Sequence, residues 1–537
     1  MALGASVLAR GVFTSPGSTT VGDRGADKTI FMWSFVWWPH ALRSGSDPFV
    51  SHAVWAPEGI DLSWVSGIPG PSVLAFPLTW AAGPVVTYNV LAVLAPALAA
   101  WTAFLLARWL TASFWPALIA GYLFGFSAYE IAQTQGHLNL TLVLLVPLCG
   151  LLLARRFAGE LSRRKFIAFL AVALALQLLI SSELFATTIL IGLIVGLLAL
   201  WRLPAAGRFR LRTTAAESGL ALLGCAVLSL PYLIHAFVVT GPSYAPERSP
   251  FSQAADVLNF VVPTHAIWLR PAGSGSITSD FTANPVEAGA YLGLPLLAIL
   301  VLAGVARRDR VTSFLLLALA AVGICSLGSR IRVDGRTLIP GPWELAAKLP
   351  VTRTILPVRL SLFVALLAAL VCALWLARAG PHAGWRYALA LAAAAAIFPT
   401  PSRAFWTSSV PNPQFFRTHA SKATLTGSDT ALVFPFGKAG WSMLWQAENH
   451  MRYRMAGGYL GNRPPEEARW NGFIRTLISG RRVPPGADRK LQRFLKAHKV
   501  TVIVVAPGTK PALRRLVESL PGEATREADV LVYRLTG

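Results

Sequence analysis

The sequence predicts a polytopic α-helical membrane protein that ends in an α/β domain outside the membrane. Three observations predict it. The 537 residues are 54% hydrophobic and only 14% charged, with a mean hydropathy of +0.54, whereas soluble domains carry about 25% charged residues. Long apolar runs recur, among them VVTYNVLAVLAPALAAWTAFLLA, ALLGCAVLSLPYLIHAFVV and LSLFVALLAALVCALWLA, and a span needs about 20 mostly apolar residues. From residue 411 onward the pattern changes to short apolar strands alternating with amphipathic helices.

Residues 1–13, MALGASVLARGVF, are apolar but too short to span. They read as a stub, or as the remainder of a first helix whose start lies upstream. Residues 14–83 form a first outer loop. It contains VGDRGADKTIFMWSFVWWPHAL (21–42), where Asp23 and Asp27 precede a run carrying Trp33, Trp37 and Trp38. Ile30, Trp33 and Trp37 make one row at helical spacing; Phe31, Phe35, Trp38 and Leu42 make another. Tryptophan favours the membrane–water interface. The run therefore predicts a helix lying along the outer surface, ended or kinked at Pro39.

About ten spans follow, at 84–107, 114–134, 139–155, 165–185, 186–201, 215–240, 287–305, 311–328, 358–377 and 386–399. The apolar run 165–201 is divided at Glu183. Lys and Arg in short loops set the orientation. One set of loops carries Arg155, Arg156, Arg163, Arg164 and Lys165, then Arg202, Arg208, Arg210 and Arg212, then Arg307, Arg308 and Arg310, then Arg378 and Arg386. These loops alternate correctly with the spans and are assigned to the cytoplasm. The opposite side departs from the rule at 329–357, where Arg330, Arg332, Arg336, Lys348 and Arg353, with Arg359 just beyond, are basic; anionic phosphate is one explanation.

Residues 1–410 thus form the transmembrane domain of a multi-pass inner- or plasma-membrane protein. Residues 411–537 form an extracytoplasmic α/β domain. In it TALVFPF, VTVIVVAP and LVYRL read as strands, and KLQRFLKAH and KPALRRLVESL as amphipathic helices. The net charge of +23, from 48 basic and 25 acidic residues, lies mostly in short loops. It reads as membrane topology, with no nucleic-acid partner. Cys149, Cys225, Cys325 and Cys372 sit in apolar segments without metal-like spacing, so no disulfide framework is implied.

This topology gathers polar residues on the outer face. Asp23 and Asp27 lie in the first loop. Glu130, Gln133, Gln135 and His137, in YEIAQTQGHLNL, lie at the end of one span and its turn. Glu183, in LLISSELFA, sits between two spans, and Glu287, in NPVEAGAYLG, opens the span after the large loop. Taken singly, Glu183 and Glu287 read equally as helix N-terminal charges, His137 as a hydrogen-bonded structural residue, and the two aspartates as solvated loop residues. Together they predict a site, because ionisable groups at membrane depth are costly and often functional.

The order of parts resembles the GT-C superfamily of integral membrane glycosyltransferases, in its poorly characterised bacterial multi-span branch. The matching patterns are GDRGADKTIFMWSFVWWPHAL, WAPEGIDL, FGFSAYEIAQTQGHLNL, DVLNFVVPTHAIW followed by VEAGAYLGLPLL, LPVTRTILPVRLS and AGGYLGN. The resemblance implies inverting transfer of a sugar from a polyprenyl-phosphate-linked donor to a glycan or lipid acceptor. An acid of the first outer loop is then the general base, Asp23 first and Asp27 second. His137, Glu183 and Glu287 would line the substrate site, and Arg353 and Arg359 would meet the donor phosphate. The sequence implies no certain cofactor, although two acids can hold a divalent cation through oxygen ligands. A flippase of lipid-linked glycans and a non-catalytic membrane scaffold are the competing readings. The absence of a visible repeat and the one-sided polar cluster weigh against a transporter.

Overall fold

The computed structural model describes residues 11–241, 253–306, 309–348, 355–380, 384–521 and 524–535. Residues 1–10, Arg307, Arg308 and Arg353 therefore lie outside the described residues. Among the described residues, five helices are long and apolar enough to cross a membrane: Phe76–Thr111, Leu138–Phe157, Ser182–Arg202, Ala205–Leu228 and Pro357–Ala377. Leu230–Val239, Leu294–Ala306 and Arg310–Ser326 are shorter apolar helices beside them. The chain is a membrane protein.

Burial orders these helices. The apolar window of Pro357–Ala377 is 94% buried, so this helix is the centre of the bundle. That of Ser182–Arg202 is 17% buried, which leaves it on the lipid-facing rim. The two helices of the 165–201 run part where Ser181 caps the second one, its hydroxyl accepting from the Leu184 amide at 3.3 Å. Glu183 falls in the first turn of that helix, where an acid complements the helix dipole.

Two expected spans are shorter than their apolar runs. The run 114–134 is helical only over Phe114–Gly125; a new short helix, Ala128–Gln133, starts at the Ser127 cap. The run 287–305 becomes helical only at Leu294–Ala306. Gly293 has φ +83° and Pro295 follows in the first turn, a position Pro favours. Residues 287–293 are thus left as irregular backbone, and both interruptions present polar side chains on one side of the bundle.

The aromatic helix corrects an expectation. It spans Asp27–Ser44 with Pro39 inside, yet it does not lie open on the membrane surface. Its residues from Lys28 to Phe35, and Trp37, Trp38, Pro39 and Ala41, are buried. It packs between the Phe76–Thr111 helix on one side and the Ser442–Glu448 helix of the tail on the other. The indole N–H groups bond to protein: Trp33 to Gln446 Oε1 at 2.8 Å, Trp37 to the Pro48 carbonyl at 3.0 Å and Trp38 to the Gly67 carbonyl at 2.8 Å. The physical reason lies in its two apolar rows, which together cover most of the circumference. A helix apolar all round belongs in a core.

The tail builds a five-stranded sheet in the order Ala524–Glu527, Val530–Arg534, Val502–Val505, Thr430–Phe434, Arg454–Met455. Thr430–Phe434 runs parallel to both of its neighbours, while the last two strands in sequence form an antiparallel hairpin at one edge. Thr430–Phe434 and Val502–Val505 are buried throughout, as continuous apolar runs require of central strands. Two extended pairings tie the first loop to later segments. Thr19–Val21 pairs antiparallel with Thr407–Ser409. Residues 53–56 bond beside Arg454–Met455, through Met455 N to the Ala53 carbonyl at 2.8 Å and Ala56 N to the Met455 carbonyl at 2.9 Å.

Candidate functional site

Six segments meet at the side of the bundle that carries the first loop. Arg359 opens the central helix. Its guanidinium donates to both oxygens of Glu287, Nε to Oε2 at 3.0 Å and one terminal nitrogen to Oε1, while the other terminal nitrogen bonds Glu183. The second oxygen of Glu183 accepts from the Leu356 amide at 3.2 Å. Glu287 also accepts from Gln133 Nε2 at 2.8 Å. That contact fixes the amide, because its other end would set oxygen against a carboxylate. Gln133 Oε1 then faces His137 Nδ1 at 2.6 Å, so Nδ1 carries the proton and donates.

His137 Nε2 is left facing Asp27 Oδ2 at 3.7 Å. The other oxygen of Asp27 accepts from the Tyr459 hydroxyl at 2.5 Å. A chain of polar contacts therefore runs Glu183, Arg359, Glu287, Gln133, His137, Asp27, Tyr459, hydrogen-bonded at every step except His137 to Asp27, where the 3.7 Å separation is an ion-pair contact. It begins inside the bundle, where Arg359 and Glu287 are 7% and 3% exposed, and reaches the surface at Asp27, whose side chain is 45% exposed. Gly289 lets this assembly close, since a Cβ there would meet the Tyr129 Cα at 2.6 Å. Glu130 is fully buried next to Tyr129, and its two carboxylate oxygens have no hydrogen-bond partner among the described residues.

The charges follow from this geometry. Burial raises the Glu287 carboxyl, but the Arg359 charge and hydrogen bonds, with His137 and Gln133, overcome it and hold the group down at about 2. Asp27 is held below the usual carboxylate range by His137 first, against the cost of burial, with help from Tyr459 and the Lys438 charge. Burial, then Asp27, push the Tyr459 phenol up, so it stays a donor. Two carboxylates, Glu183 and Glu287, thus face the single guanidinium of Arg359. In this structure Arg359 is an internal ion-pair partner of Glu183 and Glu287.

Asp23 stands beside this chain rather than in it. Gly22, at φ +96°, brings the backbone so close to Gln135 that a Cβ would meet its carbonyl oxygen at 2.4 Å. The Asp23 amide then donates to that carbonyl at 3.0 Å, and among the described residues the exposed carboxylate accepts from the nearby Gly25 amide alone, at 2.7 Å. Asp23 and Asp27 have separate partners and, among the described residues, do not converge on a third metal-binding side chain. Sequence reasoning passed over Lys28 and Tyr459. Lys28 is fully buried; its ammonium donates to the Asp23 carbonyl and, at 2.9 Å, to Ser408 Oγ. Burial pulls its pKa down to about 7, against the pull of Asp23. Its position directly after Asp27 was the one available signal. For Tyr459 that signal was the motif AGGYLGN.

No protein-family model and no curated protein matches the chain. Solved structures do. The arabinofuranosyltransferase AftD from Mycobacteria is 17% identical, with a TM-score of 0.56 over 100% of this chain and 40% of that one. A variant of that enzyme gives 18% identity and a TM-score of 0.58 over 99% and 41%. The oligosaccharyltransferase of Archaeoglobus fulgidus is 13% identical, with a TM-score of 0.53 over 94% of this chain and 68% of that one. The chain has the GT-C fold. It spans about two fifths of the length of AftD, 40%. Within the GT-C fold, the polar chain from Glu183 to Tyr459 joins the transmembrane bundle, the first loop and the tail sheet at one place.

Proposed function

We propose that this GT-C chain is a glycosyltransferase that moves a sugar from a polyprenyl-phosphate-linked donor to a glycan or lipid acceptor at the outer face of the membrane. The observation that carries the reading is the polar chain ending at Asp27. A transferase needs an ionised base at the level of the lipid phosphate, held in one orientation and open to the acceptor. Asp27 has that combination: a low pKa, a side chain half exposed, and two fixed partners. The solved neighbours with this fold are, by name, sugar transferases.

The reading assigns the base to Asp27 and a flanking place to Asp23, the reverse of the order expected from sequence. Tyr459 and His137 are positioning residues that hold the Asp27 carboxylate. Glu183, Arg359 and Glu287 anchor His137 through Gln133. The donor phosphate is met by exposed Arg24 and Lys438, the latter near enough to Asp27 to lower its pKa. The acceptor hydroxyl gives its proton to Asp27 as its oxygen attacks the anomeric carbon, and the lipid phosphate leaves with the bonding electrons.

A second reading, a GT-C relative without transferase activity, draws on the closed Glu183–Arg359–Glu287 cluster, which satisfies itself without a ligand. One experiment separates the two. The purified protein is reconstituted in vesicles with radiolabelled polyprenyl-phosphate pentoses and hexoses and a cell-envelope glycan fraction. Transfer that falls about 100- to 10,000-fold in Asp27→Asn, with donor binding retained, supports the proposal. No transfer with any donor, or Asp27→Asn turning over at the parent rate, overturns it.

A further inference from the structure

We infer that Glu58, Glu467 and His498 form a binding site for a divalent transition-metal ion of zinc's class, which clamps the first loop onto the tail sheet. The three residues come from different parts of the chain. Glu58 lies in the first loop, Glu467 in the turn Pro465–Trp470, and His498 at the end of the helix Ala487–Ala497. One donor atom from each lies within 4.8 Å of the others. Glu467 and His498 are 2% and 1% exposed, and Glu58 is at the surface.

Two features point to a cation. His498 Nδ1 lies 2.9 Å from the Phe494 carbonyl, which only accepts, so Nδ1 is the protonated nitrogen. In the neutral ring Nε2 then carries a lone pair, and it faces Glu467 Oε1 at 2.9 Å. Two acceptors at that distance repel unless a proton or a metal ion joins them. Glu467 Oε2 is also buried without a hydrogen-bond partner among the described residues, a costly state for a carboxylate oxygen.

The donor set selects the ion. Imidazole nitrogen with carboxylate oxygen suits zinc, whereas sites for calcium or magnesium are built from oxygen alone. Bonds of about 2.0–2.1 Å at tetrahedral angles put two ligands about 3.3 Å apart, so Nε2 and Oε1, at 2.9 Å, need to open by only a few tenths of an ångström to admit the ion. The exposed Glu58 side chain reaches the same ion by rotation, and water fills the fourth position. The Nδ1–H bond to the Phe494 carbonyl is the outer contact that ordinarily fixes the tautomer of a metal-binding histidine. The imidazole is further held by stacking on Phe494, with ring centroids 3.9 Å apart.

The site shares no residue with the Asp27 chain, so it does not depend on the proposed activity. Its effect would be mechanical. Residues 53–56 are already bonded beside Arg454–Met455, and an ion on Glu58 would add a pH- and metal-dependent link to the same loop. The competing account is an imidazolium–carboxylate pair of His498 and Glu467, in which Glu58 has no part.

The test uses the full chain in detergent, stripped with a chelator and titrated with zinc by calorimetry and with cobalt by visible absorption. One equivalent of zinc and the bands of four-coordinate cobalt are expected. Glu467→Gln should remove both. Glu58→Gln changes only a surface side chain, so it should keep the metal-free thermal midpoint while weakening zinc by about 10-fold or more. Absence of saturable zinc binding, retention of it in Glu467→Gln, or equal affinity in Glu58→Gln and the parent would overturn the site.

Discussion

The Tyr459 hydroxyl donates to the Asp27 carboxylate at 2.5 Å, joining two residues 432 positions apart in the chain. This bond attaches the tail domain to the first loop at the residue proposed as base. Tyr459→Phe removes the donor and keeps the ring. A hydrogen bond to a charged group contributes about 1.5–3 kcal/mol of stability, so the thermal midpoint should fall, and transfer should fall with it because the Asp27 carboxylate loses the partner that fixes one of its oxygens. A Tyr459→Phe protein with the parent kcat and KM would detach the tail from the chemistry.

The low pKa of Asp27 sets the direction of a pH effect. The base must be ionised, so turnover falls as pH drops through the Asp27 pKa. His137 is the largest cause lowering it. In His137→Asn the Asp27 pKa rises, and the acid limb of the pH–rate profile should move to higher pH. Stability follows the same sign: a depressed carboxylate pKa contributes stability above the unfolded value, and that contribution is lost as pH falls through the folded value. For Glu287, held at about 2, the loss should occupy the acid range from the ordinary Glu value of about 4.3 downward. An acid limb identical in His137→Asn and the parent would count against Asp27 as the titrating group.

Arg359→Gln leaves the buried Glu287 and the part-buried Glu183 without their cation. Removing one member of a buried ion cluster typically costs about 3–5 kcal/mol, so the thermal midpoint should drop sharply. Replacing the whole cluster (Glu183→Gln, Arg359→Gln and Glu287→Gln together) should recover part of that loss, because no unpaired charge remains. Intact stability with lost donor binding in Arg359→Gln would instead make this residue a phosphate ligand.

How much of this was legible depended on distance along the chain. The break at Glu183 could be read because Ser181 and Glu183 adjoin it and cap the next helix. The tail strands could be read because TALVF and VIVV are continuous apolar runs. The pairing of Glu287 with Arg359 could not, since it crosses 72 residues and no local pattern favours one cation over another. Asp23 and Asp27 looked equivalent in sequence; a four-residue offset sends one carboxylate to a turn amide and the other to His137 and Tyr459. The aromatic helix was misplaced for a different reason. Tryptophan composition suggested an interface, while its two apolar rows already implied burial on both sides.

Lys438 is exposed and close enough to act on Asp27. Under the proposed function it meets the leaving phosphate. Lys438→Gln should weaken donor binding in direct titrations with polyprenyl phosphate, and the loss should shrink at high salt, where exposed charges are screened. It should also let the Asp27 pKa rise slightly. Unchanged affinity at low salt would move the phosphate site elsewhere.

The orientation of the whole assembly rests on two independent arguments that one labelling experiment can set against each other. The basic residues Arg155, Arg156, Arg163, Arg164, Lys165, Arg202, Arg208, Arg210 and Arg212 cluster near the ends of successive helices, and the excess of Lys and Arg on cytoplasmic sides argues for a cytoplasmic placement of that side. Separately, the first loop and the tail are bonded together, through Trp33 to Gln446 and Tyr459 to Asp27, so they must share a side whatever that side is. Exposed positions Ser46, Arg482 and Arg208 report on the first loop, the tail and the basic side. With an impermeant thiol reagent, Ser46→Cys and Arg482→Cys should react in intact cells, and Arg208→Cys only after permeabilisation. If all three results invert, the charge argument fails while the docked fold stands. If Ser46→Cys and Arg482→Cys differ from each other, the first loop and tail cannot be joined, and the site built on Asp27 and Tyr459 falls with that contact.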